Sequence, residues 1–83
     1  GPFAAPAAIR PLVGALGDGD ADLRREAASA LGKLGDKAKE PATRPLEGLL
    51  ADGERRVRVA AAIALARLGS TNGQLAPILA GAV

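Results

Sequence analysis

PLVGALGDGDADLRREAASALGKLG, residues 11–35, returns 34 residues later as PLEGLLADGERRVRVAAAIALARLG, residues 45–69. About half of the aligned positions are identical, among them Pro11/Pro45, Leu16/Leu50, Asp18/Asp52, Gly19/Gly53, Arg24/Arg58, Leu31/Leu65 and Gly35/Gly69. Self-similarity at this period marks a stacked repeat protein, in which no single unit can bury its own apolar face. The whole chain has 83 residues, one small domain at most, so neighbouring repeats must supply most of its burial.

Helix signals alternate with short turns along both copies. In the first, Ile9, Leu12 and Leu16 predict a helix over about Ala7–Leu16, with Pro11 near its start, where a missing N–H costs least. Gly17–Asp20 reads as a turn, and Asp20 as the N-cap of a second helix over Ala21–Leu34. That helix places Leu23, Ala27, Ala30, Leu31 and Leu34 on one face, and Gly35 suits the left-handed position beyond its end. The second copy predicts a connector over Asp36–Pro41, then a helix over Ala42–Ala51 with Leu46, Leu49 and Leu50 inward. Its partner helix, Glu54–Leu68, turns Val57, Ala61, Ala64, Leu65 and Leu68 inward, and Gly69 ends it. Thr71-Asn72-Gly73-Gln74 has capping-box spacing before a last apolar run, Leu75, Pro77, Ile78, Leu79, Ala82 and Val83. Gly1-Pro2 resembles the scar of a tag-removing protease, leaving 3–83 as the repeat domain. Its units are repeat one at about 7–35, repeat two at about 42–69 and a half repeat at about 72–83.

The 34-residue period is shared with tetratricopeptide repeats, but the large aromatics of that signature are replaced here by Leu and Ala, and the ankyrin Thr-Pro-Leu-His pattern is missing. Each copy instead has an acidic residue closing the first helix and a basic residue six places on: Asp18 and Arg24, then Asp52 and Arg58. An Ala-rich stretch and Leu-Gly follow, as AASALGKLG and AAAIALARLG. This pattern resembles the HEAT repeat family in its short bacterial, PBS-lyase-type form, with shorter loops accounting for a period below the usual ~40–47 residues. The resemblance implies an all-α, right-handed α-solenoid of about two and a half helical hairpins. It also implies that Arg24 and Arg58 bond the Asp of the same or the adjacent repeat in a structural ladder, and that the second helices line a concave docking side.

Composition excludes most chemistry. There is no Cys, His, Trp, Tyr or Met, and Phe3 is the sole aromatic. Disulfides, thiol catalysis and the His-Glu iron sites of HEAT-like deoxyhypusine hydroxylases are therefore ruled out, and no cofactor is expected. A bilin-lyase-like role in handling a chromophore is a distant third reading, since nothing here grips a tetrapyrrole. Asp18, Asp20 and Asp22 are turn and cap carboxylates rather than a calcium loop, because the twelfth loop position is Ser29 and not Glu. No metal site and no catalytic residue are assigned, and the chain is read as a non-enzyme. A formal charge of +2 identifies no polyanion. A nucleic-acid reading would need a continuously basic concave face, whereas acids and bases interleave from Asp18 to Glu40. No apolar run is long enough to span a membrane. With no secretory leader visible, a cytoplasmic location is expected, and the Ala-, Gly- and Arg-rich composition fits a high-GC bacterial source.

The expected function is a protein-interaction scaffold module, a piece of something larger. Helical-wheel arithmetic at 100° per residue puts Arg25, Ser29, Gly32 and Lys33 opposite the core stripe of the first copy. The same positions of the second copy are Val59, Ile63, Ala66 and Arg67, so that helix is apolar on both sides. Val59, Ile63, Ala66 and Arg67, rimmed by Arg25, Ser29 and Lys33, form the candidate partner site. Two alternatives stand beside it: Val59 and Ile63 pack on the third unit, or they cover a surface that a longer parent buries. Ile78, Leu79 and Val83 belong to a hairpin half and form a candidate homo-oligomer edge.

Overall fold

A computed structural model describes residues 4–81. Its elements are five helices: α1 (Ala4–Ala15), α2 (Ala21–Leu34), α3 (Asp36–Leu49), α4 (Arg55–Arg67) and the short α5 (Leu75–Leu79). Phe3, Ala82, Val83 and the Gly1-Pro2 pair lie outside the described residues. The helices α1/α2 and α3/α4 form two antiparallel hairpins, and α5 lies against α4 as the first helix of a third unit. The most extensive helix contact is between α2 and α4, the second helices of successive hairpins, while α1 packs on α3. This is the stacked arrangement of a small all-helical solenoid.

The first helix of each hairpin begins earlier than the prolines predict. α1 starts at Ala4, so Pro11 stands well inside it rather than near its start. α3 starts at Asp36, and the stretch expected to be a connector is helix, with both Pro41 and Pro45 in its interior. Proline removes only its own donor to the carbonyl four residues back. Pro11 and Pro41 are exposed, so the carbonyls they leave unpaired can face water. The α2–α3 join is therefore Gly35 alone, at φ 69°, a conformation that favours a residue without Cβ. Gly69, at φ 85°, closes α4 in the same spirit. Its N–H donates to the Ala66 carbonyl (3.0 Å) and that of Ser70 to the Leu65 carbonyl (2.9 Å), the paired bonds of a Schellman motif.

The second turns are as expected at their starts. Asp20 is extended (φ −86°, ψ 119°) and its Oδ1 accepts from the Asp22 N–H at 2.8 Å, which caps α2. Before α5 the expected capping box does not form: Asn72 Oδ1 accepts from the Gln74 N–H (2.8 Å) within the turn, and Gln74, at the N-cap of α5, has no side-chain cap bond.

The core is built of Leu and Ala. Leu31, Leu46 and Leu65 are its largest wholly buried side chains within the main cluster, with Ala28, Ala38, Ala42, Ala61 and Ala62 between them. At about 25 cal/mol per Å² of apolar surface removed from water, each buried Leu contributes on the order of 2 kcal/mol. Small residues set the spacing. Gly32 of α2 lies against α4, where a Cβ at that position would stand 2.8 Å from Ala64 Cα. Gly32 thus belongs to the helix interface and not to the polar exterior. Leu23 is the opposite case, expected inward but 46 % exposed. Its counterpart Val57 is fully buried, because α4 has a preceding hairpin packed beside it and α2 does not. Leu12, Ala30, Leu34 and Leu49 are half-buried at the margins of the core.

Candidate functional site

The turn between the helices of each hairpin carries the chain's best-organised polar chemistry. Asp18 Oδ1 accepts from the Asp20 N–H (2.8 Å), and Asp52 Oδ2 does the same for the Glu54 N–H (2.9 Å). Six residues on, each arginine reaches back to the carbonyl of its own turn: Arg24 Nη1 to Asp18 O and Arg58 Nη1 to Asp52 O, both at 2.8 Å. Arg24 then crosses to the next repeat. Its Nε donates to Asp52 Oδ1 at 2.9 Å and its Nη2 to Asp52 Oδ2 at 3.2 Å, a two-bond fork. The carboxylate rung therefore joins adjacent repeats, while the carbonyl bond stays within one.

The electrostatics agree with that geometry. The Arg24 hydrogen bond holds the Asp52 carboxyl below its ordinary range, against an opposing effect of burial, with help from the Glu54 N–H and the charges of Arg24 and Arg58. In return, the bond to Asp52 raises the already high pKa of Arg24. The side chains are only 17 % and 9 % exposed, so the pair is shielded from bulk water. Every polar group of this rung is thus already engaged within the fold. Among the described residues no group of three or more His, Cys, Asp or Glu side chains could hold a metal ion; Asp18 and Asp20 take the turn and cap bonds, whereas the Asp22 carboxylate, expected to share that role, lies against Arg56.

The rung and the α2–α4 contact fix the two second helices side by side, and a groove of about 260 Å³ opens along their outer face. Arg25 and Ser29 line it from α2. Val59, Ala60, Ile63 and Ala64 form its floor on α4, between Arg56 and Arg67. Ile63 is 42 % exposed, while Val59 is half-buried against the core. No residue of α5 lines the groove, so among the described residues the third unit does not cover Val59 and Ile63 there.

Five of the seven residues proposed from the sequence as a partner site thus meet in one place: Arg25, Ser29, Val59, Ile63 and Arg67. Lys33 and Ala66 are exposed but do not line the groove. Arg56 was missed. It stands one helical turn before Val59, so extending the apolar stripe back by three residues would have found it. Arg56 Nε lies 3.3 Å from Asp22 and its Nη1 3.4 Å from Glu54, and Arg25 lies 3.8 Å from Glu26. Arg67 pairs with no carboxylate among the described residues. The second helices therefore present neither a wholly apolar nor a continuously basic face.

At the other end of the array Ile78 is buried, 4 % exposed, where it packs into the core. It is not part of an open edge. Leu79 beside it is exposed, and Val83 lies outside the described residues. A hollow of about 230 Å³ here is lined by Leu50, Arg58, Gln74, Pro77 and Ile78, and another of about 400 Å³ on the α1/α3 side by Ile9, Arg10, Val13, Lys37 and Pro41. No helix among the described residues is long and apolar enough to cross a membrane.

Stacked hairpins joined by an inter-repeat Arg–Asp rung, with an open groove on their second helices, define a helical-repeat module of the α-solenoid class. The family model for HEAT repeats matches residues 1–66, and the chain belongs to the HEAT repeat family. Comparison with curated proteins and with solved structures returned no match.

Proposed function

We propose that this protein is a non-catalytic interaction module that docks a partner protein in the groove between α2 and α4. The observation that carries this reading is the position of Ile63. A branched aliphatic side chain stands in the open on the floor of a groove, in a register where the first copy has Ser29. The stack itself does not need an apolar residue there, since the first copy folds with a hydroxyl. An exposed apolar floor with a polar rim is the anatomy of a protein-docking surface. HEAT repeats as a family are interaction scaffolds, which supports the same reading.

The competing reading is a nucleic-acid interface, and the three arginines around the groove favour it. Against it stand Asp22, Glu26 and Glu54, which sit beside those arginines and interrupt the continuous basic surface that a phosphate backbone follows. The groove also lacks any aromatic on which a base could stack. Docking of a second copy through the α5 end now rests on Leu79 alone and is the weaker of the protein-binding readings.

Affinity capture from the source organism with the wild-type protein and with Ile63→Asp tests the docking reading. A partner retained by the first and lost by the second, with thermal unfolding unchanged, supports it. Equal retention by both proteins removes the groove from consideration.

A further inference from the structure

The charges around the groove select among protein ligands. Resting on the docking reading above, we propose that the groove takes an acidic-aliphatic peptide segment, with aliphatic side chains on Val59 and Ile63 and Asp or Glu carboxylates on either side reaching Arg56 and Arg67. Every charged side chain that lines the groove is an arginine, and no carboxylate does. Three positive charges thus gather at one place in a chain whose net charge is +2. Arg25 and Arg56 also stand beside Glu26, Asp22 and Glu54, which do not line the groove, so Arg67, with no carboxylate partner among the described residues, is the charge that most favours an acidic ligand.

The spacing gives the ligand its pattern. Arg56, Val59, Ile63 and Arg67 follow one another at three- and four-residue steps and form a single stripe along α4. At 1.5 Å per residue the two arginines are separated by roughly 17 Å along the helix axis. An extended ligand covers that distance in about five residues and a helical one in about eleven. In either form the apolar centre is bracketed by carboxylates.

The arginines are free to exchange their present partners. The contacts of Arg56 with Asp22 and Glu54, and of Arg25 with Glu26, are between exposed side chains at 3.3–3.8 Å. Surface pairs of this kind contribute little, because water screens them and two long side chains must be ordered to make them. A ligand carboxylate that is shielded by its own apolar neighbours can take the two-bond fork instead, as Asp52 does with Arg24 in this same molecule. The groove's volume of about 260 Å³ falls below the ~300–1,000 Å³ of small-molecule pockets, which favours side chains of a peptide over an enclosed ligand.

The test is selection from a displayed library of random peptides about twelve residues long, long enough for the helical spacing. It uses the wild-type protein, Ile63→Asp, and a triple variant carrying Arg25→Glu, Arg56→Glu and Arg67→Glu. Wild type should enrich aliphatic residues bracketed by Asp or Glu. A synthetic peptide of the enriched sequence should lose affinity by at least about tenfold on the triple variant, which should itself enrich Lys and Arg. Arg67→Glu, at an exposed position with no ion pair to lose, serves alone if the triple variant fails to fold. Enrichment that needs Ile63 but shows no acidic bias overturns the acidic ligand and leaves the docking reading standing. Absence of any Ile63-dependent enrichment overturns both. A short DNA duplex that displaces the peptide and is itself lost on Arg67→Glu overturns the proposal in favour of nucleic acid.

Discussion

Arg24 and Asp52, 28 residues apart in sequence, are joined by a two-bond fork across the boundary between repeats. Asp18, the equivalent of Asp52 in the first copy, has the same turn bond to a backbone N–H but receives no such fork. The two carboxylates therefore separate the local role of this residue from its stacking role. Asp52→Asn should lower the unfolding temperature clearly more than Asp18→Asn, and thermal melts of the two variants at neutral pH check this.

The same rung sets a pH dependence. The folded-state pKa of Asp52 is depressed, so its contribution to stability is present above the unfolded carboxylate value of about 4 and is lost as pH falls through the lower folded value. The stability difference between wild type and Asp52→Asn should accordingly be full at pH 7 and shrink progressively below about pH 4. Urea titrations across that range measure it. A difference that stays constant into strong acid would mean that the carboxylate charge is not what the rung uses.

Gly32 and Gly48 should respond to alanine with opposite signs. Both lie in helices, where Gly→Ala alone gains up to about 1 kcal/mol. At Gly48 nothing lies within 4 Å of an added Cβ, and stability should rise by a few tenths to about 1 kcal/mol. At Gly32 the Cβ would meet Ala64 Cα at 2.8 Å, and the strain of parting α2 from α4 should leave a net loss of about 1–2 kcal/mol. Denaturant unfolding of the two variants distinguishes these outcomes.

Leucines of the two second helices also differ in how deeply they lie. Leu65→Ala removes a fully buried side chain and should cost about 2–5 kcal/mol, enough to unfold a domain of this size at moderate temperature. Leu23→Ala, at a position 46 % exposed, should cost less than about 1 kcal/mol. Calorimetry of both reports whether the core has the boundary described.

On the groove, Ile63→Asp should leave the melting temperature within a few degrees of wild type, because its side chain is in contact with water already. Val59→Asp should destabilise, since Val59 also packs against the core. Ile63 is therefore the position at which binding and folding can be separated. Circular dichroism melts of the two variants establish that before any binding is measured.

Much of the site was legible from the mismatches between the copies. Where Arg25 and Ser29 gave way to Val59 and Ile63, the stack did not require the apolar residue, and both positions line the groove. Arg56 escaped because the comparison stopped one turn short. Gly32 escaped because its helix was oriented by Leu23 and Leu34, one exposed and the other at the core margin. A glycine inside the last turn of a helix, with the small residues Ala28 and Ser29 one turn before it, was itself the sign of a close approach. The prolines misled for a different reason. They were read as starts and stops, yet a proline on the wet side of a helix withdraws one hydrogen bond without ending it.

The sequence by itself determined the repeat, the alternation of helix and turn, the caps at Asp20, Gly35 and Gly69, and the lack of Cys and His. Those are local or compositional properties, settled within a few residues of chain. Tertiary structure alone decided that Leu23 is wet where Val57 is dry, and that Arg24 takes the carboxylate of Asp52 rather than that of Asp18. It also decided that Arg56 stands at the groove. Each of these depends on which copy lies alongside. The two copies carry nearly the same local chemistry, so only their order in the stack, with one hairpin before the other, tells equivalent residues apart.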